Sequence, residues 1–482
     1  MIYPKGGFSL NKKTLNQRIE DINALESGLN RGMSGRHIFM ISLGGVIGTG
    51  LFLGSGFTLN QAGPGGAVLA YIIGGFIMYM VMLCLGELAV AMPVAGSFQT
   101  YAREFIHPVA GFMLGWLYWI NGAVTIGADL VAAGLLLRPL VPGVPILFWI
   151  IGFGLLLFAL NCLAVKVFGE SEFWFASIKV IAIVVCVLVG GAAMFGFVGD
   201  HGAVGFSNFT QHGGLFPNGI GAVMLAMVTV SFAFNGTEII GIAAGESAHP
   251  EKTIPKAVNN TAIRTLLCYV SSMIVIAALI PWEKAGVSES IFAEVFNYAG
   301  IPYAYTIMTL VIVTSALSSG NSWVYSATRI LWAMARDKSA PETCGKLNRF
   351  KVPMNALIIT MAVSCLTLLV EQFAAETVYL WLVAGCGLAG VLGWMGICAS
   401  QYCFRKQFIA QGGKVSDLKY RTPFFPLVPA LGFFLNLAVA VSLWFVEDQK
   451  VAIYAVAAFM AVTALYYYFI IGPRKAKAGL PK

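Results

Sequence analysis

Charge is scarce in this 482-residue chain: Asp, Glu, Lys and Arg together make up 11% of it, against about 25% in soluble domains. Hydrophobic residues fill 58%, so the composition is that of an integral membrane protein. HExxH and GxSxG are absent, which removes the metalloprotease and nucleophile-elbow enzyme classes. No pore-filter sequence is evident either, and a channel would need one. The nine cysteines include no CxxC pair, and none falls in a predicted outer loop, so neither disulfides nor zinc are expected. His201 and His212 lie in a Gly-rich outer loop without a Cys or carboxylate cluster beside them, so no metal or cofactor is expected there. Residues 1–36 are polar and charged without an apolar core. They read as a cytoplasmic arm and not as a secretory signal.

What is abundant is apolar sequence long enough to span. Stretches near 37–57, 66–92, 109–137, 146–165, 172–198, 218–245, 261–281, 304–334, 354–371, 376–404, 424–445 and 450–472 each approach the roughly 20 residues a bilayer requires. With the N-terminus inside, only Arg138, Lys284 and Lys450 among the Lys and Arg residues fall outside. That asymmetry predicts both termini on the cytoplasmic side. The expected layout is an arm over 1–36, a transport core over 37–405, two further helices over 406–472 and a cytoplasmic tail over 473–482. The net charge of +8 then reflects topology, and a nucleic-acid partner gains no support from it.

The first apolar stretch carries GGVIGTGLF, Gly44 to Phe52, at its centre. Gly costs about 1 kcal/mol against Ala in a helix, and Val46 and Ile47 add β-branching, so the helix should break here. In lipid a broken backbone survives only inside protein or against a water-filled cavity. SFAFNGTEIIG, Ser231 to Gly241, interrupts the sixth stretch and repeats the Gly-Thr pair. Two Gly-interrupted spans in corresponding places of two halves point to a transporter's midplane site. Five spans separate the breaks, so the two broken helices run oppositely, as in an inverted repeat of 1 to 5 against 6 to 10.

A dry midplane site must satisfy both ends of a zwitterionic amino acid. The amides of Gly48, Thr49 and Gly50, next to Ile47, start an outer half-helix whose dipole favours a carboxylate. The outer half of the sixth span ends near Phe232 and Phe234, with carbonyls for an α-ammonium; both rings are candidates to close over the ligand, and Asn235 and Gly236 form the break itself. Asp129, roughly 9 Å outward of the third span's midpoint at 1.5 Å per residue, should face the bundle interior. It reads equally as a packing hydrogen bond or as a substrate or proton group. Lys179 is the one Lys or Arg placed well inside a span, and snorkelling to the cytoplasmic edge is the alternative to a coupling role. Glu170 and Glu172 open the fifth span, where the helix dipole accounts for them. Glu87 reads as structural, and the small residues of SALSSGNSWVYSATR, Ser315 to Arg329, read first as tight helix packing.

GGVIGTGLF, QAGPGGAVLAY, LGELAVAMPVAGSF, FGESEFWFASIKV, SFAFNGTEIIGIAAGES with HPEKTIPKAV, and SSGNSWVYSATRILWAMARD together resemble the bacterial amino acid permeases of the amino acid–polyamine–organocation superfamily. The resemblance runs from about Met33 to Phe445. It implies an all-α membrane protein of 12 transmembrane helices with the LeuT-type 5+5 inverted repeat, helices 1 and 6 broken, importing an amino acid with a proton. Within that group the chain is most similar to lysine-specific, arginine and S-methylmethionine permeases. In relatives a lysine on the fifth helix replaces the cation of sodium-coupled members, and Lys179 matches it. Tyr118, Phe232, Glu238 and Glu246 match positions linked in lysine permeases to transport or binding. Where those relatives carry a bulky aromatic one turn after Tyr118, this chain has Gly122, which leaves a wider pocket or one filled from elsewhere. The expected substrate is a cationic amino acid, lysine before arginine. The rivals are a neutral amino acid or S-methylmethionine, an exchanger of the same fold, and a sensor reporting to a partner membrane protein through Glu283, Lys284, Glu289 and Glu294.

Overall fold

The computed structural model describes residues 14–163, 165–199, 202–286, 290–446 and 449–477, without the side chains of 367–383 and 476–477. His201 and Glu289 lie outside the described residues. Among those described, the secondary structure is helical, with no strands beyond two isolated bridges. In chain order the α-helices are α1 (Leu15–Leu25), α2 (Gly35–Val46), α3 (Thr49–Phe52), α4 (Gly54–Ala91), α5 (Ser97–Phe105), α6 (Pro108–Leu137), α7 (Ile146–Cys162), α8 (Val165–Met194) and α9 (Ser207–Thr210). There follow α10 (Gly221–Phe234), α11 (Ile239–Ala243), α12 (Pro250–Leu279), α13 (Trp282–Ala285), α14 (Ile291–Tyr298), α15 (Ala304–Arg336), α16 (Met354–Ala410), α17 (Leu427–Ser442), α18 (Lys450–Tyr466) and α19 (Gly472–Lys477).

Among the described residues, eight helical stretches are long and apolar enough to cross a membrane, and Ile146–Cys162 and Met354–Leu366 are shorter apolar ones. The first predicted span is not among the eight because its helix is interrupted, as its glycines require. α4 is two helices meeting at Gly63, whose φ of 74° stands outside the helical region, in the gap between the predicted stretches 37–57 and 66–92. α16 differs from expectation. It runs unbroken through 371–376, where two spans were expected to meet. From Asn355 to Ala384 the chain offers neither Gly nor Pro, so no residue there stops a helix.

Burial sorts the helices. The most apolar windows of α6 and α15 are 78% buried and that of Gly221–Glu246 is 89% buried, whereas that of α8 is 28% buried. α6, α10 and α15 therefore form the centre, and α8 presents most of its surface outward. α8 keeps one inward stripe, on which Phe168, Glu172, Ala176, Lys179, Ile183 and Cys186 recur at steps of three or four, the spacing of one helix face.

Two buried acids, Glu87 and Asp337, hold the ends of these helices with ion pairs. Glu87, at the end of α4, takes Arg405 of α16 together with Gln401 and the Thr422 amide, which is the structural role its position predicted. Past the end of α15, Asp337 pairs with Arg103 and with Lys475. Burial alone would raise its carboxyl, but these two cations outweigh burial and hold it below the usual aspartate range.

Candidate functional site

Both predicted breaks are present. α2 stops at Val46, Ile47 has φ −77° and ψ 93°, and helix resumes at Thr49 after an extended Gly48. α10 stops at Phe234, Asn235 is extended, and Gly236 has φ 102° before α11 begins. The breaks lie against each other: a Cβ on Gly236 would stand 2.4 Å from the Gly45 carbonyl oxygen, and one on Gly50 would stand 2.8 Å from Ala233 Cα.

Breaking a buried helix frees carbonyls that need donors. At the first break Lys179 Nζ donates to the carbonyls of Gly44 and Ile47, both at 2.5 Å, and the Ser315 hydroxyl also donates to Ile47 O at 3.0 Å. Lys179 is fully buried. It does not snorkel; it caps the inner half-helix. The Tyr269 hydroxyl lies 3.0 Å from Val46 O and 2.9 Å from Ala233 O, so one phenol serves both broken helices. At the second break Phe232 O accepts from the Asn235 amide and Phe234 O from the Thr237 hydroxyl. The carbonyls expected to receive an α-ammonium thus each have one protein donor and one lone pair remaining.

The acids separate by what they hold. Asp129 Oδ1 accepts from the Thr49 hydroxyl at 2.8 Å, while its Oδ2 is buried with no protein partner. Glu238 is occupied: it accepts from Tyr118 Oη at 2.9 Å, from Trp394 Nε1 at 3.0 Å, and from the Gly236 amide at 3.1 Å. Its position on the second break makes it a clamp that joins α6 and α16 to that turn. Glu246 lies farther along, paired with Arg329 Nε at 2.8 Å and with Tyr325 Oη at 3.2 Å, both from α15. Phe232 is packed against Gly50 and Gly387. The Phe234 ring is stacked on Tyr269 at 4.8 Å and edge-on to Tyr71 at 6.0 Å.

Gly122 does not open the pocket. A Cβ there would lie 2.9 Å from Ala327 and 3.3 Å from the Trp323 ring, and Trp323 also lies 5.2 Å from the Tyr118 ring. Trp323, an aromatic of α15, packs against Gly122 and Tyr118 of α6.

Glu172 is the residue that sequence reasoning passed over. It is fully buried and bonded across to α15, where Asn321 Nδ2 donates at 2.9 Å and the Ser318 hydroxyl donates to its other oxygen. Its spacing of seven from Lys179, nearly two turns, was the available signal. Glu170, two residues before it, is the one at the surface, bound by Arg36 and His37.

A family profile described as amino acid permease matches residues 37–481. The chain belongs to the amino acid permease family. It is a multi-pass membrane transporter and not an enzyme. The permease is 52% identical to the amino-acid permease RocC of Bacillus subtilis over 92% of this chain and 96% of that protein. It is 49% identical to a putative histidine permease of the same organism, over 93% and 95%. With the lysine-specific permease LysP of Escherichia coli it shares 44% identity over 86% of each chain.

Proposed function

We propose that this permease imports a cationic amino acid, lysine before arginine, together with a proton across the plasma membrane, both termini facing the cytoplasm. The observation that carries the reading is Lys179, whose ammonium caps the first break through Gly44 O and Ile47 O. A neutral amine keeps fewer protons to donate and binds those carbonyls more weakly. Proton loss therefore loosens the grip of α8 on the inner half-helix, which links a proton to the movement that opens the site inward. The two broken helices, lying break against break, support a LeuT-type repeat.

The substrate would lie where the breaks meet, its carboxylate at the amides of Gly48, Thr49 and Gly50 and its ammonium at the free lone pairs of the Phe232 to Phe234 carbonyls. The unpartnered Oδ2 of Asp129 supports a cationic side chain, and the donors already on Glu238 leave Asp129 as the recognising acid. The membrane potential adds about 2.3 kcal/mol per charge per 100 mV to the uptake of a cation. Removing one partner of a buried charge pair costs 2 kcal/mol or more, so Asp129→Asn should raise the apparent KM for lysine at least about 30-fold. Competition of labelled lysine uptake by unlabelled basic and neutral amino acids, in wild type and variant, measures this. An unchanged lysine KM in the variant, or wild-type uptake that yields equally to neutral competitors, removes the cationic assignment.

A further inference from the structure

We propose that Glu172 is the inner proton acceptor of this transporter, receiving the proton from Lys179 and releasing it to the cytoplasmic side. The inference rests on the proton-coupled reading above. Its geometry begins on the buried stripe of α8, where Lys179 and Glu172 share one face, seven residues or roughly 10 Å of rise apart. Lys179 interacts electrostatically with two acids, Asp129 on α6 and Glu172 on its own helix. Asp129 is tied to the outer half-helix through Thr49. Glu172 is pressed against the inner half-helix instead, because a Cβ on Gly44 would stand 2.0 Å from its Oε1. Only a glycine at 44 permits that approach. The carboxylate therefore touches the same residue whose carbonyl Lys179 caps.

The other charges near this face are engaged elsewhere. Arg36 and His37 of α2 bind Glu170. On α15, Arg329 is held by Glu246 and Arg336 by the Leu25 carbonyl, and Arg264 of α12 lies over the Phe39 ring. What surrounds Glu172 is neutral and donating: Ser318 and Asn321, with Asn321 oriented by a 2.8 Å hydrogen bond from Asn161 Nδ2. Those donors hold the carboxyl in place through a change of charge.

The step balances as a proton transfer. One N–H bond of the Lys179 ammonium breaks, an O–H bond forms on Glu172, and an ammonium and a carboxylate become a neutral amine and a neutral carboxylic acid. The amine loosens its hold on Gly44 O and Ile47 O, the inner half-helix moves, and cytoplasmic water takes the proton from Glu172. Water on the outer side returns a proton to the amine and restores the ammonium.

Glu172→Gln keeps the size and an acceptor oxygen while removing the titrating group. In proteoliposomes with labelled lysine and an imposed inward proton gradient, this variant is expected to lose accumulation at least about tenfold. Counterflow at equal pH should survive, and the rise of uptake with external acidity should flatten. Glu172→Asp should recover part of the accumulation. Ser318→Ala, which removes one donor but leaves the carboxyl, should displace the pH midpoint of uptake. Wild-type accumulation with an unchanged pH profile in Glu172→Gln overturns the proposal. So does joint loss of counterflow and accumulation that Glu172→Asp does not recover, or an unshifted midpoint in Ser318→Ala. A wild type that does not respond to the gradient would instead remove the proton-coupled reading on which the proposal stands.

Discussion

Lys179→Ala abolishes proton-driven uptake and leaves counterflow measurable: accumulation of labelled lysine under an inward proton gradient falls at least about 100-fold. The reason lies in what the ammonium holds. Gly44 O and Ile47 O take their Lys179 hydrogen bonds at 2.5 Å in a fully buried setting, and a buried acceptor left without its donor costs about 1–3 kcal/mol. Alanine removes the cap in every state, so the inner half-helix no longer distinguishes a protonated transporter from a deprotonated one. The breaks and their glycines are untouched, which is why exchange persists. Full gradient-driven accumulation in this variant would remove Lys179 from the coupling.

Gly236→Ala stops transport by a different route. The residue has φ 102°, and its added Cβ would meet the Gly45 carbonyl oxygen at 2.4 Å and Val46 N at 3.3 Å, so there is no flexible side chain to yield. Backbone strain of this kind costs about 1–3 kcal/mol before the clash is counted. The clash pushes the two breaks apart, and Glu238 loses the Gly236 amide that it clamps. A shift near 3 kcal/mol corresponds to roughly 100-fold less of the working arrangement. Gly143→Ala is the matched control, because nothing lies within 4 Å of its added carbon, and its uptake should equal that of wild type. Normal uptake by Gly236→Ala would mean that the two breaks are not held in contact during transport.

Much of this site was readable from local composition. GGVIGTGLF and SFAFNGTEIIG announce breaks because glycine clusters oppose helix wherever they fall, and Lys179 is conspicuous because a cation in an apolar stretch is rare. Pairings were not readable. Arg329 with Glu246 and Arg405 with Glu87 join residues 83 and 318 positions apart, and both arginines read from sequence as cytoplasmic charges. Glu172 was hidden by a competing local explanation, since an acid at a helix start needs no partner; only the register of α8 against α2 and α15 buries it. The filling of the space at Gly122 by Trp323 depends in the same way on how α6 meets α15. At α16 the sequence offers no stop signal, so hydropathy alone suggested a boundary where the backbone has none.

The most direct measurement is uptake of labelled lysine into proteoliposomes carrying the wild-type protein, with and without an imposed inward proton gradient. The account predicts accumulation that collapses when the gradient is dissipated and that yields to unlabelled lysine and arginine. Accumulation indifferent to the gradient would contradict it.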